Sequence, residues 1–307
     1  MKEKHASNRL WTILRWLVPL GLIGFLLSQV EWTKILPLLQ NISWTSLLAA
    51  ALFFLLSQFI IAIRWGYLLR AQEIQLPLAR LTWLVLLGAF ASNFLPTTVG
   101  GDLVKMAAVA QGQPKRAVAV ASVLADRLFN LAAMFFWLPF ALTLGGPNPL
   151  LEMGAASTSA LTRMPFVEKT WSRLKRVYEA GGVWFTSPRH VAIALALSWL
   201  SIGASFVSFW IVTRALGISV SFWQAAGVAV ISYFAALLPI SVNGLGLLEG
   251  SVTAALLTQG ASLEQGLAAA VLIRLVTMAV SLLGGARLLW QRGLLAEATA
   301  PGVGHDF

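Results

Sequence analysis

The chain alternates between long apolar tracts and short polar connections. The length of each tract lets an α-helix, which rises roughly 1.5 Å per residue, cross about 30 Å of hydrocarbon. The pattern therefore predicts an all-α polytopic membrane protein, a single domain with about seven transmembrane helices. The predicted spans lie near 10–30, 44–69, 78–95, 117–145, 190–213, 222–240 and 264–290.

Two shorter apolar stretches interrupt this pattern. Residues 101–110 and 244–258 are too short or too broken to be confident spans. Pro96 precedes the first stretch and Pro239 precedes the second. Proline ends a helix because it lacks an N–H and its ring clashes with the preceding turn. We therefore expect two structural breaks, each followed by a re-entrant helix; the alternative is that each proline only kinks a continuous helix.

The two breaks belong to an internal duplication. In both, Leu-Pro leads to small or hydroxyl-bearing residues, a valine, a glycine-containing turn and a short helix with one acid. Gly100 and Gly101 are expected to reverse the first turn through positive φ, and Asn243 and Gly244 to serve the second. A longer helix with one arginine follows each short helix, which predicts two repeats. Their approximate bounds are 78–145 and 222–290.

Lysine and arginine gather in the polar connections, and their distribution predicts the orientation of the spans. The N-terminus, the second connection and a long later connection are basic, so we expect all three on the cytoplasmic face. The second connection is taken to carry Arg64, Arg70 and Arg80. Counting the predicted spans from a cytoplasmic N-terminus puts Lys115 and Arg116 outside. The count does not decide on which face the C-terminus lies. It also makes the two Leu-Pro units enter from opposite faces, as in the inverted repeats of transporters.

The long connection, 146–189, combines apolar and basic residues. Between Phe166 and Tyr178 the apolar side chains recur at roughly helical spacing, while the bases point elsewhere. This pattern is typical of an amphipathic helix that lies on an anionic leaflet. A packed cytoplasmic connector is the alternative.

Composition restricts the class of function. Of the 307 residues, 58% are hydrophobic and only 11% are charged, whereas soluble proteins have about 25% charged residues. The net charge of +10 resides in the connections, so nucleic acid is not an expected partner. The chain has no cysteine and three scattered histidines, which predicts no metal site and no cofactor. No Walker, GxSxG, HExxH or Rossmann motif is present, so no enzyme activity is predicted.

Several charged residues fall inside the predicted membrane region. Each costs about 2.5–3.5 kcal/mol near the bilayer centre unless it is paired or hydrated, so we expect them in a polar cavity between the repeats. Asp102 and Lys105 also fit a local ion pair. Arg127 is expected to reach an acid of a re-entrant helix or a ligand, and Arg274 is expected to pair with Glu249 or bind substrate. The embedded charges are Asp102, Lys105, Asp126, Arg127, Glu249 and Arg274.

Short motifs carry a resemblance to a known family. They are NFLPTTVGGDLVK at 93–105, SVLADR at 122–127 and NGLGLLE at 243–249, followed by the helix with Arg274. Over roughly 10–290 the chain resembles the transmembrane, flippase-like region of lysylphosphatidylglycerol synthases and related stand-alone proteins. The resemblance implies movement of a charged-headgroup lipid between leaflets of the cytoplasmic membrane. Lys105 stands where the family usually has arginine. The aminoacyl-transferring domain is expected to be absent, because the chain ends about seventeen residues after the last span.

We therefore predict a lipid flippase or transporter of the bacterial inner membrane, with its N-terminus in the cytoplasm and an anionic or zwitterionic lipid as partner. One alternative is a membrane-embedded transferase with Asp102 or Glu249 as general base. Another is a non-catalytic partner of a lipid synthase, docked through the helix 166–180; a second copy of the chain is a further candidate partner. The predicted substrate-binding residues are Asp102, Lys105, Arg127, Glu249, Arg274, Gly100, Gly101, Asn243 and Gly244.

Overall fold

The computed structural model describes residues 40–94, 100–110, 115–141, 144, 184, 187–237 and 246–299. Within these ranges the chain forms eight α-helices and no strand, as the apolar pattern predicts. The helices are α1 (Trp44–Arg70), α2 (Leu78–Phe94), α3 (Gly100–Ala110), α4 (Arg116–Ala141), α5 (Pro188–Ala215), α6 (Phe222–Ala236), α7 (Leu247–Leu257) and α8 (Leu263–Thr299).

Helix length separates complete spans from shorter elements. In the described part of the chain, α1, α4, α5 and the segment Leu263–Ala286 of α8 are long and apolar enough to cross a membrane. Helices α2 and α6 have 17 and 15 residues, so they rise roughly 25 and 22 Å. Helices α3 and α7 have 11 residues each. The predictions that lie outside the described residues concern the span 10–30, most of 146–189, Pro96, Pro239, Asn243 and Gly244.

Local sequence sets the starts of the later helices. Ser221 Oγ accepts the Gln224 N–H at 3.3 Å, and Gln224 Oε1 accepts the Ser221 N–H at 2.9 Å. Ser262 and Gln265 make the same reciprocal contacts at 3.1 and 3.0 Å before α8. These capping boxes satisfy amides that the first helical turn leaves unpaired. Pro188 opens α5, where its missing N–H removes no helical hydrogen bond.

Helices α1 and α5 pack against each other in opposite directions. Near the end of α1, Arg64 Nη1 donates to Ser198 Oγ at 2.5 Å. Near the start of α1, the Ala50 carbonyl accepts a hydrogen bond from Ser208 Oγ at 2.7 Å. Because Ser198 precedes Ser208 along α5, the two helices are antiparallel.

Helix α4 is also antiparallel to α1. Trp65 Nε1 donates to Ser122 Oγ at 2.9 Å, whereas Phe54 and Met134 line one cavity. The start of α4 therefore lies with the end of α1, and α4 and α5 run in the same direction. We call the end marked by Arg70, Arg80, Lys115, Arg116 and Arg189 the basic end. The opposite end, marked by Trp44, Ala141 and Ala215, is the distal end.

Helices α2 and α3 form a hairpin with both outer ends at the basic end. Lys115, just before α4, has its Nζ 2.6 Å from Oε2 of Glu73, in the turn between α1 and α2. This contact lowers the pKa of the exposed Glu73 carboxyl through a hydrogen bond and the Lys115 charge. The expectation that Lys115 and Arg116 lie on the face opposite Arg70 is therefore wrong. The prediction treats 78–95 as a full crossing, whereas the hairpin returns the chain to the end at which Arg70 lies.

Helices α6 and α7 form the corresponding hairpin at the distal end. Gln224 Nε2, at the start of α6, donates to Gln259 Oε1 after α7 at 2.9 Å. Gln265 Nε2, at the start of α8, donates to the Leu216 carbonyl after α5 at 3.1 Å. The outer ends of this hairpin thus lie together beside the end of α5.

The helix contacts of α1 to α4 are repeated in α5 to α8. Helix α2 packs on α8 as α6 packs on α4, and the pairs α1 with α2 and α3 with α4 correspond to α5 with α6 and α7 with α8. Glycine permits two of these close approaches. A Cβ at Gly227 of α6 would lie 2.5 Å from the Phe140 carbonyl oxygen, and one at Gly284 of α8 would overlap the Leu86 backbone.

Buried apolar side chains fill the spaces between these helices. The largest cluster includes Trp137 and joins α4 to α5, α6, α7 and α8, and a second cluster around Trp65 joins α1, α2, α3 and α4. Large apolar side chains also cover the outside: Trp44 is 84% exposed and Phe136 is 63% exposed. Such a surface suits contact with lipid, because its side chains are apolar and the helices satisfy their backbone hydrogen bonds internally.

Candidate functional site

A charged cavity of about 180 Å³ lies between α1, α2, α3 and α4. Gln58, Ser92 and Asn130 contribute neutral polar groups to its wall. The structure thus brings Asp102, Lys105 and Arg127 together, as the sequence analysis expected. The ionisable residues that line the cavity are Arg64, Asp102, Lys105, Asp126 and Arg127.

Asp102 connects α3 to α4 through an ion pair with Arg127. Its Oδ2 lies 2.6 Å from Arg127 Nε, whereas its Oδ1 lies 3.9 Å from Lys105 Nζ, beyond hydrogen-bond distance. The contact with Arg127 is therefore the closer one, and Arg127 does reach an acid of the short helix. The Arg127 side chain is 44% exposed, so part of it stays accessible while Asp102 contacts its Nε.

Arg64 is a site residue that the sequence pattern does not predict, because the nearby Arg70 and Arg80 suggest a polar connection. In the structure Arg64 lies inside α1 and is 1% exposed. Its Nε donates to Asp126 Oδ1 at 2.7 Å, and its Nη1 bonds Ser198. Arg64 therefore joins α1, α4 and α5. The predicted span 44–69 already contained it, and that position was the available signal.

Gly100 and Gly101 lie within α3, and Gly101 is not among the glycines with positive φ, contrary to the expectation from the sequence. They are the first two residues of α3. A Cβ at Gly101 would overlap Ser92 Oγ and the Gly88 carbonyl oxygen of α2. The physical requirement at Gly101 is therefore the close approach of α2 and α3. Gly246, which immediately precedes α7, does have positive φ, at 77°.

Glu249 and Arg274 form a second ion pair, which joins α7 to α8. Arg274 Nε donates to Glu249 Oε1, and Glu249 Oε2 accepts the Gly246 N–H at 2.8 Å. Among the described residues, Arg274 Nη2 is buried without a hydrogen-bond partner. Neither residue is among those that line the charged cavity. A single cavity was expected to contain both arginines, but Arg127 and Arg274 belong to two separate ion pairs.

The two ion pairs occupy matching positions in the two halves. Each joins an acid in the first turn of an 11-residue helix to an arginine of the next helix. Arg127 follows Asp102 by 25 residues, and Arg274 follows Glu249 by the same 25. The equal spacing from acid to arginine relates the two halves independently of the Leu-Pro motifs.

A larger cavity, of about 330 Å³, adjoins the charged cavity. The two cavities share Gln58, Ile61 and Asn130. The wall of the larger one is mainly apolar and draws on both halves of the protein. Its apolar lining includes Phe54, Met134, Ile202, Phe206, Phe209, Leu248, Val252 and Ile273.

The serine and threonine hydroxyls in the wall of the larger cavity donate to their own helices. Each bonds a carbonyl three or four residues earlier, at 2.7 to 2.8 Å. Because these donors are already satisfied, the hydroxyls do not require a polar occupant. Apart from the polar side chains of Gln58, Asn130 and Tyr233, the larger cavity therefore suits hydrocarbon. The serine and threonine residues are Ser57, Ser201, Ser205, Ser232 and Thr277.

Together, the fold and the site define a polytopic helical membrane protein with buried ion pairs beside adjoining charged and apolar cavities. The family described as "Lysylphosphatidylglycerol synthase TM region" matches residues 12–285. The match covers most of the chain, and the protein belongs to this family. Membership connects it with membrane lipid metabolism. A search of the curated proteins found no match.

Proposed function

We propose that the protein moves a polar-headed, phosphate-bearing lipid between the leaflets of the bacterial cytoplasmic membrane. The observation that carries this proposal is the contact between a charged cavity and an apolar one, which share Gln58, Ile61 and Asn130. An amphipathic lipid has a charged head and apolar chains. The head would occupy the first cavity, and part of a chain would occupy the second.

In this proposal Arg127 and Lys105 bind the phosphate. Guanidinium and ammonium groups form strong, charge-assisted hydrogen bonds with phosphate oxygens. Arg127 is accessible while Asp102 holds its Nε, so a headgroup can bind without breaking that ion pair. Arg274, with its unpartnered Nη2, is proposed as the corresponding contact in the second half. Asp102 and Glu249 are proposed to hold the two arginines in position both before and after a lipid binds.

The proposed route between leaflets depends on an inverted repeat with two re-entrant hairpins. Two observations support it: α1 and α5 hold matching positions but run antiparallel, and the hairpins α2–α3 and α6–α7 open toward opposite ends. In transporters, repeats of this kind place the binding site near the middle of the membrane. The basic end is proposed to face the cytoplasm, as the positive-inside rule predicts.

Reconstitution into vesicles with a fluorescent phospholipid tests the proposal. The wild-type protein should let an impermeant quencher reach label that began in the inner leaflet. Arg127→Ala together with Arg274→Ala should slow this movement about tenfold or more, because charge-assisted contacts to the headgroup are lost. Arg214→Ala, a change at an exposed arginine of the distal end, is the matched control. Equal movement by the wild type and the double variant would reject the assigned roles.

The proposal requires movement of the lipid without covalent change. Mass spectrometry of the vesicle lipids after the assay should therefore return the starting masses alone. A new lipid mass that depends on Asp102 or Glu249 would instead favour the transferase alternative. Association with a lipid synthase or with a second copy of the chain stays a prediction.

A further inference from the structure

We infer that the charged cavity selects lipids whose headgroup carries one net negative charge and rejects zwitterionic and cationic headgroups. This inference rests on the proposed function and specifies its substrate class. Its basis is the unequal number of bases and acids around the cavity.

The charges that face the cavity do not balance. Within the described ranges, three bases and two acids line it, which gives a formal charge of +1. The Lys105 side chain is 15% exposed and that of Asp102 is 10% exposed. A buried ammonium group without a counter-ion is unfavourable, and a nearby anion stabilises its charged form. A ligand with a single negative charge would complete the balance.

The geometry shows where the excess charge lies. Arg64 is 2.7 Å from Asp126, and Arg127 is 2.6 Å from Asp102, so each arginine has a carboxylate. Lys105 is 3.9 Å from Asp102, whose other oxygen already contacts Arg127. Lys105 is therefore the base without a carboxylate of its own. Together with the partly exposed Arg127, it offers donors to the oxygens of one phosphodiester.

This arrangement separates headgroups by their net charge. A phosphodiester with an uncharged substituent, such as glycerol, brings one negative charge and leaves the cavity neutral. A zwitterionic headgroup also brings an ammonium group, so the total stays at one positive charge. A headgroup with net positive charge increases the excess, and like charges repel most strongly where water is excluded.

The test compares three fluorescent lipids with identical acyl chains: phosphatidylglycerol (anionic), phosphatidylcholine (zwitterionic) and O-ethylphosphatidylcholine (cationic). Binding to the purified protein in detergent and movement in vesicles are both measured. Phosphatidylglycerol should exceed each of the others by at least about tenfold in both measurements. Soluble glycerophosphoglycerol, which is the same phosphodiester without chains, should not displace it at equal concentration; full displacement would overturn the assignment to a lipid.

Lys105→Met tests the origin of the preference, because methionine keeps a similar length and removes the charge. The variant should lose most of the preference for phosphatidylglycerol, whereas Lys115→Met, at an exposed lysine of the basic end, should retain it. If Lys105→Met does not fold, Lys105→Gln provides the same comparison. An unchanged preference in the folded Lys105 variant would overturn the inference.

The two measurements also separate this inference from the proposed function. Equal movement and equal binding of all three lipids would leave the function standing and overturn the selectivity. Selective binding without movement would support the selectivity and overturn the proposed transport. Absence of both would overturn both.

Discussion

At the scale of single residues, the buried arginines differ in how much of the guanidinium is accessible. Arg64 is 1% exposed and is held by both Asp126 and Ser198. Arg127 is 44% exposed, and Asp102 occupies its Nε. The same chemical group therefore connects three helices in one position and is partly exposed in the other. Arg64 and Arg127 carry the same charge, so they differ in exposure and in the number of helices they join.

Removal of Arg64 should destabilise the fold more than removal of Arg127. Arg64→Ala should lower the free energy of unfolding by about 3–5 kcal/mol, because Asp126 is left as a buried charge without its partner. Arg64→Met combined with Asp126→Leu should recover most of this loss, since neither charge remains. Arg127→Ala is the comparison variant. Denaturant unfolding in detergent measures all three, and a double variant no more stable than Arg64→Ala would contradict the coupling.

At the scale of helices, the hairpin of α2 and α3 depends on the absence of a side chain at one position. A Cβ at Gly101 would overlap the Gly88 carbonyl oxygen, which belongs to the backbone and cannot rotate away. Gly101→Ala should therefore cost about 1–3 kcal/mol of stability through overpacking. Gly203→Ala on α5 is the control, because its nearest atom would be a Trp137 ring carbon at 3.3 Å. Equal melting temperatures for the two variants would contradict the proposed packing.

Local features of this chain are predictable from its sequence, whereas features that depend on tertiary contacts are not. Helices α1, α4 and α5 begin within a few residues of the predicted spans, because an apolar run is a local property. The predicted side of Lys115 was wrong, because it depends on whether the chain completes a crossing in α2 or returns through α3. Arg64 was missed because neighbouring bases at 70 and 80 suggested a connection, although its partner Asp126 lies 62 residues away.

At the scale of the whole molecule, the outer ends of the two hairpins lie at opposite ends of the bundle. The turn that contains Glu73 and the residue Lys115 mark the basic end, whereas Gln224 and Gln259 mark the distal end. If the bundle spans the membrane as proposed, these two pairs lie in different aqueous compartments. The arrangement would let each hairpin reach the centre from its own side, so that a lipid headgroup would always meet a charged helix within the bilayer.

Cysteine labelling tests this arrangement directly, because the chain has no cysteine of its own. Single variants Glu73→Cys, Lys115→Cys, Gln224→Cys and Gln259→Cys are treated with a charged maleimide, which cannot cross hydrocarbon. The first two should react only in inside-out vesicles, and the last two only in right-side-out membranes. Ser208→Cys, buried between α1 and α5, should react in neither until the protein is unfolded. Labelling of positions 73 and 115 from different sides would reject the first hairpin. Labelling of all four positions from one side would reject the inverted arrangement. Hairpins that enter from opposite faces must expose their outer ends to opposite compartments.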